Sequence, residues 1–338
     1  MGGSDPELAA FVLEKGLAAP GQTQTWTPLA GGVSSDIWRL DVGGRSICVK
    51  RALAKLKVAA DWRAPVSRNL YEWRWFETVR EILPDAVPMP LAADARLGVF
   101  AMSFLEPATH PLWKAQLLGG RADVSTAGAV GERLGLIHAR TALRTDIAER
   151  FPTDELFHAL RLAPYLLFTA QRRPAAAAAL EALAARTAAT RLALVHGDVS
   201  PKNILVGPRG PIFLDAECAW YGDPAFDLAF CLNHLLLKCL VAPDATSDLL
   251  ASFDALSRAY LAHVDWEPAE ALEARAASLL PGLMLARVDG KSPVEYLTEE
   301  TQKDRVRDAA LPLLASAPRE LAEVARAWRR RLAAGEGR

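Results

Sequence analysis

Apolar and polar positions alternate with period two over two short stretches near the start of the chain, which predicts strands with one buried face each. Ile37 to Val42 is the first of these and Arg45 to Lys50 the second. Between them Gly43-Gly44 makes a tight hairpin turn, where glycine adopts a positive φ without strain. In the second strand Ile47 and Val49 share one face, and Ser46, Cys48 and Lys50 the other. A strand near Trp26 precedes the pair, and Gly98 to Leu105 is a further apolar strand. Asp5 as N-cap, Pro6 at the first helical position and Gly16 near the end predict a helix over residues 5–19. Residues 51–67 read as a loop, and Arg68 to Leu83 as a helix bounded by Pro84 and Pro88.

After Pro107 the pattern becomes mostly helical. Ser125 caps a helix through about Leu143, with Val130, Leu134, Ile137 and Thr141 on one face. Ala175 to Ala189 is Ala-rich and helical. Leu192 to Val195 and Ile212 to Leu214 are short strands on either side of a polar loop, and everything beyond Asp227 reads as helix. The most apolar stretch, Leu228 to Ala242, is broken by Asn233, His234 and Lys238. It is too short and too polar for a membrane span and reads as a buried helix.

A chain of 338 residues, 51% hydrophobic and 23% charged, can build two lobes with separate cores. We divide it into residues 1–105, a small antiparallel sheet with one helix, and residues 106–338, larger and mostly helical. Lys and Arg number 39 against 40 Asp and Glu, a net charge of −1, without the basic surplus of a nucleic-acid binder. Cys48, Cys218, Cys231 and Cys239 form no C-x-x-C pair, so free buried thiols in a reducing compartment are expected. Met1 to Pro6 lacks the basic and apolar regions of a signal peptide, which points to the cytoplasm. No pattern specifies a subunit number.

The candidate chemistry lies in His196-Gly197-Asp198-Val199-Ser200-Pro201-Lys202-Asn203, followed twelve residues later by Asp215 at the end of an apolar run. An Asp and an Asn five apart, then a second Asp, is the layout used to transfer a phosphoryl group from ATP. That transfer needs an acceptor held in line and metal ions that neutralise growing charge. One carboxylate orients and deprotonates the acceptor hydroxyl, while an amide oxygen and a second carboxylate hold Mg²⁺. Asp198 is therefore the candidate general base, and Asn203 and Asp215 are the candidate metal ligands. Asp215-Ala216-Glu217 resembles the aspartate-x-glutamate of methylthioribose kinases, which implies that Glu217 touches a second metal or its water, the alternative being a structural salt bridge.

Three blocks in order, His196-Gly197-Asp198 with Asn203, Leu214-Asp215-Ala216-Glu217, and Gly222-Asp223-Pro224-Ala225-Phe226-Asp227-Leu228-Ala229, resemble the aminoglycoside phosphotransferase and choline kinase superfamily. Gly197 stands where protein kinases have Arg, and Asp215-Ala216-Glu217 where they have Asp-Phe-Gly. The resemblance runs from about Gly31 to Asp227. It implies a two-lobe, protein-kinase-like α+β fold with a small antiparallel-sheet N-lobe and a larger, mostly helical C-lobe, and ATP between them with Mg²⁺. Lys50 then contacts the α- and β-phosphates, with Lys55 and Lys57 as alternatives. Glu72 orients that lysine, ahead of Glu77 and Glu81, because it follows Arg68 in the first turns of the helix. Gly31, Gly32, Ser34 and Ser35 cover the phosphates through backbone N–H groups. Met102, Ser103, Phe104 and Leu105 form the hinge that reads the adenine edge. His196 props the catalytic loop, and Asp227 bonds its backbone N–H groups.

The acceptor side is less determined. Arg287, Asp289 and Lys291 read as a polar loop between apolar helices, which either contacts a polar substrate or ends a helix at the surface. The acceptor is a small molecule bearing a hydroxyl. Gly222-Asp223-Pro224 favours the aminoglycoside branch, and Asp215-Ala216-Glu217 a sugar or nucleoside-derived alcohol, as in methylthioribose kinases. A polycationic aminoglycoside requires a pocket rich in Asp and Glu. GTP as donor and a non-catalytic nucleotide-binding protein are the remaining alternatives, the second disfavoured because neither base nor metal ligand is lost. The nine residues from Asp215 to Asp223 leave no room for the long activation loop of a protein kinase.

Overall fold

The computed structural model describes residues 5–29, 35–53 and 65–334. Gly31, Gly32 and Ser34 lie outside the described residues, as do Lys55 and Lys57. The chain forms two compact units, one of residues 1–109 with 215–217, the other of residues 110–214 and 218–338.

The first unit holds a five-stranded antiparallel sheet: β1 (Gln24–Pro28), β2 (Ser35–Val42), β3 (Arg45–Ala52), β4 (Pro90–Asp94) and β5 (Val99–Ser103), ordered β1-β2-β3-β5-β4. The alternation along β3 sorts its side chains as expected. Ile47 and Val49 join Leu8, Phe11 and Val12 of the helix Pro6–Glu14 in one core. Lys50, on the opposite face, stands beside Phe100 in the β3–β5 register. There the helix Arg68–Ile82 packs Phe76 edge-on against Phe100, ring centroids 6.0 Å apart. Two elements differ from expectation. The first helix ends at Glu14, because Leu17 and Ala18 turn back into the core. The edge strand β4 begins with Pro90 and carries a register shift between Pro90 and Ala92; an edge strand tolerates a proline that reads as a breaker.

The second unit contains two small antiparallel pairs, β6 (Ala193–Val195) with β9 (Trp220–Gly222) and β7 (Ile204–Gly207) with β8 (Gly210–Phe213). At three or four residues, β7 and β9 are too short to show a period. The helix Ala225–Lys238 is buried at every residue, Asn233, His234 and Lys238 included. Among the described residues no helix is long and apolar enough to cross a membrane. All four cysteines are buried thiols outside any disulfide. Asp123, not Ser125, caps the helix Val124–Thr141; its carboxylate accepts both the N–H and the hydroxyl of Ser125 at 2.9 Å. The expected polar loop around residue 287 is also corrected, since the helix Ala269–Asp289 runs through Arg287 and Asp289 before stopping at Gly290.

Two glycines let the helices Val124–Thr141 and Thr246–Leu261 approach closely. A Cβ on Gly131 would stand 2.2 Å from the Leu256 carbonyl oxygen, and one on Gly135 2.9 Å from that of Tyr260. Alanine gains about 1 kcal/mol of helix propensity over glycine. A backbone overlap this deep forces the helices apart, an overpacking cost at the upper end of about 1–3 kcal/mol. Gly131→Ala therefore lowers the melting temperature. Gly128→Ala on the same helix meets nothing within 4 Å and raises it. Thermal melts of the two variants check the contrast.

Candidate active site

In the first unit β3 carries Lys50 toward the helix Arg68–Ile82. Lys50 Nζ lies 2.6 Å from Glu72 Oε2 and 2.5 Å from Asp215 Oδ1. Of the three glutamates weighed on that helix, Glu72 meets the lysine. Both side chains are almost wholly buried, at 3% and 1% exposure. Burial alone disfavours the ammonium, yet the carboxylates of Asp215 and Glu72 outweigh it and hold Lys50 above its ordinary value. Burial pushes Glu72 up to about 7, against the pull of Lys50 and with the help of Asp215 and Glu217. Glu217 Oε2 accepts from Arg68 Nε at 3.0 Å, so the salt-bridge alternative for Glu217 is formed. Arg68 is itself buried and donates to the carbonyls of Pro65 and Leu53.

Asp215 sits at φ +63°, a left-handed backbone that costs an ordinary residue about 1–2 kcal/mol and that Asp tolerates better than most. Its side chain is 28% exposed, so this carboxylate is reachable. Glu72, Asp215 and Glu217 stand against Lys50 and Arg68 here, and the partly exposed oxygens of Asp215 suit a hard cation. Among the described residues, three His, Cys, Asp or Glu side chains do not gather into a metal cage. Mg²⁺ needs none, because it binds through one or two carboxylates together with waters and phosphate oxygens.

In the second unit Asp198 follows β6 and is 4% exposed. Its Oδ2 lies 3.0 Å from Arg161 Nη2 and 3.1 Å from Lys202 Nζ. The loop around it is fixed from several sides. The Asp227 carboxylate accepts the N–H of His196 at 2.6 Å and of Gly197 at 2.9 Å. His196 Nδ1 accepts the Asp198 N–H at 3.1 Å, which leaves Nε2 to donate to the Leu214 carbonyl at 3.0 Å. Asn203 Nδ2 donates to the Asp198 carbonyl at 3.0 Å and so directs the amide nitrogen away from any ligand role. Gly197 has φ +79°, and a Cβ there would stand 2.5 Å from the Cys218 carbonyl oxygen. Only glycine fits, which accounts for the missing Arg of the protein-kinase motif.

Arg161 is the residue beside Asp198 that pattern reasoning missed. It lies on the π-helical stretch His158–Leu167, which wraps Pro164, and it also donates through Nε to the Gly197 carbonyl. One signal was available: a lone arginine between Leu160 and Leu162 in an apolar run. Wide helical turns of this kind concentrate at functional sites.

The remaining candidates are dispersed. Ser35 opens β2, buried, and its hydroxyl has no hydrogen-bond partner among the described residues. Met102 and Ser103 end β5, and Ser103 exchanges bonds with Met89, its N–H donating at 2.8 Å and its Oγ accepting at 2.9 Å. Phe104 lies under the Arg39 guanidinium, 4.7 Å from ring centre to carbon, and Leu105 follows outside the strand. Arg287, Asp289 and Lys291 do not converge. Arg287 donates to the Tyr165 hydroxyl at 3.0 Å, while Asp289 pairs with Arg173 at 2.7 Å and Arg307 at 2.8 Å. Lys291 is exposed just past the helix. The ion pairs of Asp289 take it out of any substrate loop.

Known proteins resemble this chain in sequence and in fold. The sequence profile of the phosphotransferase enzyme family (APH) matches residues 25–272. Methylthioribose kinase of Yersinia enterocolitica is 24% identical over 67% of this chain and 63% of its own length. That of Erwinia tasmaniensis is 27% identical over 60% of this chain and 57% of its own. The match thus spans under two thirds of these relatives. Among solved structures, amicoumacin kinase hAmiN superposes with a TM-score of 0.54 at 15% identity, covering 93% of this chain and 97% of its own. Spectinomycin phosphotransferase APH(9)-Ia gives 0.52 at 13% identity, covering 97% and 99%. These likenesses establish the protein-kinase-like α+β fold, and with the profile spanning most of the chain and the motif residues in place, the chain belongs to the phosphotransferase enzyme family.

Proposed function

We propose that this chain transfers the γ-phosphoryl group of ATP to a hydroxyl of a small polar molecule. The observation that carries the reading is Lys50 held between Glu72 and Asp215. A buried ammonium is oriented on one side by a glutamate and bordered on the other by a carboxylate open enough to meet a metal. Lys50 engages the α- and β-phosphates, and Ser35 with Gly31, Gly32 and Ser34 covers them. Met102, Ser103, Phe104 and Leu105 form the hinge, whose backbone reads the adenine edge. The names of the relatives, kinases of methylthioribose, amicoumacin and spectinomycin, support a small-molecule acceptor.

Asp198 orients the acceptor hydroxyl. As that oxygen bonds to the γ-phosphorus, the bond to the ADP oxygen breaks, ADP leaves with the electron pair, and the hydroxyl proton passes to Asp198. Arg161 and Lys202 hold the Asp198 carboxylate in place. Mg²⁺, when bound, neutralises charge on the phosphates. Asp215 would offer it a carboxylate and Asn203 an amide oxygen, while Glu217 is engaged by Arg68. Residues 1–105 would serve the nucleotide and residues 106–338 the acceptor. The buried thiols, outside any disulfide, support a cytoplasmic setting.

The test is thermal shift with Mg·ATP, followed by acceptor-dependent ADP release over sugars, nucleosides, amino alcohols and aminoglycosides. Ligands that bind the folded state raise its melting temperature. Asp215→Asn keeps a residue that tolerates positive φ but lacks the charge. It loses the Mg²⁺-dependent part of the ATP-induced rise; an undiminished rise contradicts the metal assignment.

A further inference from the structure

The buried helix Ala225–Lys238 presents Phe230, His234 and Lys238 at successive four-residue steps on one face. Along that face runs a chain of contacts that starts at the Asp198 pair. Arg161, 3.0 Å from Asp198, lies over Phe230 at 5.9 Å. Phe230 meets the His234 ring at 5.5 Å, and His234 Nδ1 shares a hydrogen bond with the Tyr296 hydroxyl at 3.2 Å. Lys238 Nζ stands over the Tyr296 ring at 4.6 Å. On the other side Arg161 and Arg287 both lie over Tyr165, at 5.7 and 5.4 Å.

The charge along this path is positive. Arg161 and Lys202 pair with Asp198 and Lys114 with Glu295, while among the described residues Lys238 and Arg287 form no ion pair. The nearby Asp227 is held by the N–H groups of His196 and Gly197, and Asp289 by Arg173 and Arg307. Lys238 is 1% exposed, and among the described residues no carboxylate comes within ion-pairing reach of it. A ring face attracts an ammonium but does not neutralise it. Arg287 Nε and His234 Nε2 are buried and have no hydrogen-bond partner among the described residues. Burial first, then Lys114, lower Lys238 to about 7 against the pull of Glu295, with a smaller push from Arg287. The path meets solvent at Lys114 and Lys202, whose side chains are 25% and 49% exposed. Isolated buried cations are expensive and persist where a counter-charge completes them.

We infer that the acceptor of this phosphotransferase carries an anionic group, a carboxylate or a phosphate, which Lys238 and Arg287 take while its hydroxyl lies at Asp198. The inference rests on the phosphoryl-transfer reading and names the substrate class of that site. It runs against a polycationic aminoglycoside, whose ammonium groups would add to an existing surplus of positive charge.

The experiment uses acceptors matched on one carbon skeleton: glucose, gluconate, glucose 6-phosphate and glucosamine, then glycerol, glycerate, glycerol 3-phosphate and serinol. Each is assayed for melting shift and for transfer of labelled γ-phosphate from Mg·ATP. The anionic members stabilise the protein and exceed their neutral counterparts at least about ten-fold in kcat/KM, and the carboxylate and phosphate arms tell which anion is meant. Lys238→Met removes the preference, acting on KM for the anionic acceptor rather than on kcat. Without ligand, Lys238→Met also melts about 2 °C or more above the wild type, because an unpaired buried charge is gone. Melting shifts no larger for anionic than for neutral or ammonium members overturn the inference, as does a preference that survives Lys238→Met. Anion-specific stabilisation with no transfer to any acceptor upholds the anion site and counts against phosphoryl transfer instead.

Discussion

Asp198→Asn lowers the rate of phosphoryl transfer about 10²–10⁴-fold, the usual size of a lost general base, or about 3–5 kcal/mol in the barrier. The substitution keeps the shape of the side chain and removes its capacity to take the acceptor proton. Binding of Mg·ATP changes little, because Asp198 serves the acceptor rather than the nucleotide. Stability falls as well, since Arg161 and Lys202 lose their shared counter-charge. Removing one partner of a buried pair costs about 3–5 kcal/mol when the other charge is left stranded. The loss here is smaller. Arg161 keeps the Gly197 and Leu160 carbonyls, and Lys202 is half exposed to water. Steady-state kcat and KM for ATP, taken well below the variant's melting temperature, separate the two effects. Near-normal turnover removes Asp198 from the mechanism.

Lys50→Met abolishes productive ATP binding and destabilises the first unit in a pH-dependent way. The wild-type lysine is the counter-charge of Glu72 and Asp215. Without it, Asp215 is partly hydrated, whereas Glu72 is buried and raised further above the about 7 it has beside the lysine. The carboxyl takes up a proton instead of remaining a stranded charge, so the cost stays below the full penalty of a broken buried pair. The sign follows from linkage. An acid whose folded pKa lies above its unfolded value of 4.5 binds more protons folded than unfolded. Its stabilising contribution is therefore complete below that value and is lost as pH rises through the folded pKa. The stability gap between wild type and Lys50→Met is thus smallest in mild acid and widens above pH 7. Denaturant melts at pH 5 and pH 8 read it; a gap independent of pH contradicts the coupling of Glu72 to Lys50.

Where sequence patterns were strong, they carried through to the structure. The period-two alternation in β3 put Lys50 opposite Ile47 and Val49, and the His-Gly-Asp block placed a buried Asp198 on a loop braced by His196 and Asp227. These features are local: spacing along the backbone dictates them. The failures involve what sequence neighbours do not decide. Arg161 reaches Asp198 from 37 positions away, a pairing that only tertiary packing creates. Asp289 resembled a polar loop residue because its partners Arg173 and Arg307 are distant in the chain. The strands β4, β7 and β9 were too short or too proline-marked to announce themselves. Lys238 belongs with these. An isolated lysine in an apolar run signals burial, and only its neighbours Tyr296, Lys114 and Arg287 reveal how much positive charge gathers there.

Transfer of a phosphoryl group from ATP to an acceptor hydroxyl at Asp198 is read by phosphorus NMR of one reaction mixture that holds Mg·ATP, protein and an accepted alcohol. A new phosphomonoester signal is expected to grow in step with ADP and nearly to vanish with Asp198→Asn. ADP appearing with inorganic phosphate at the same rate with or without acceptor would contradict it.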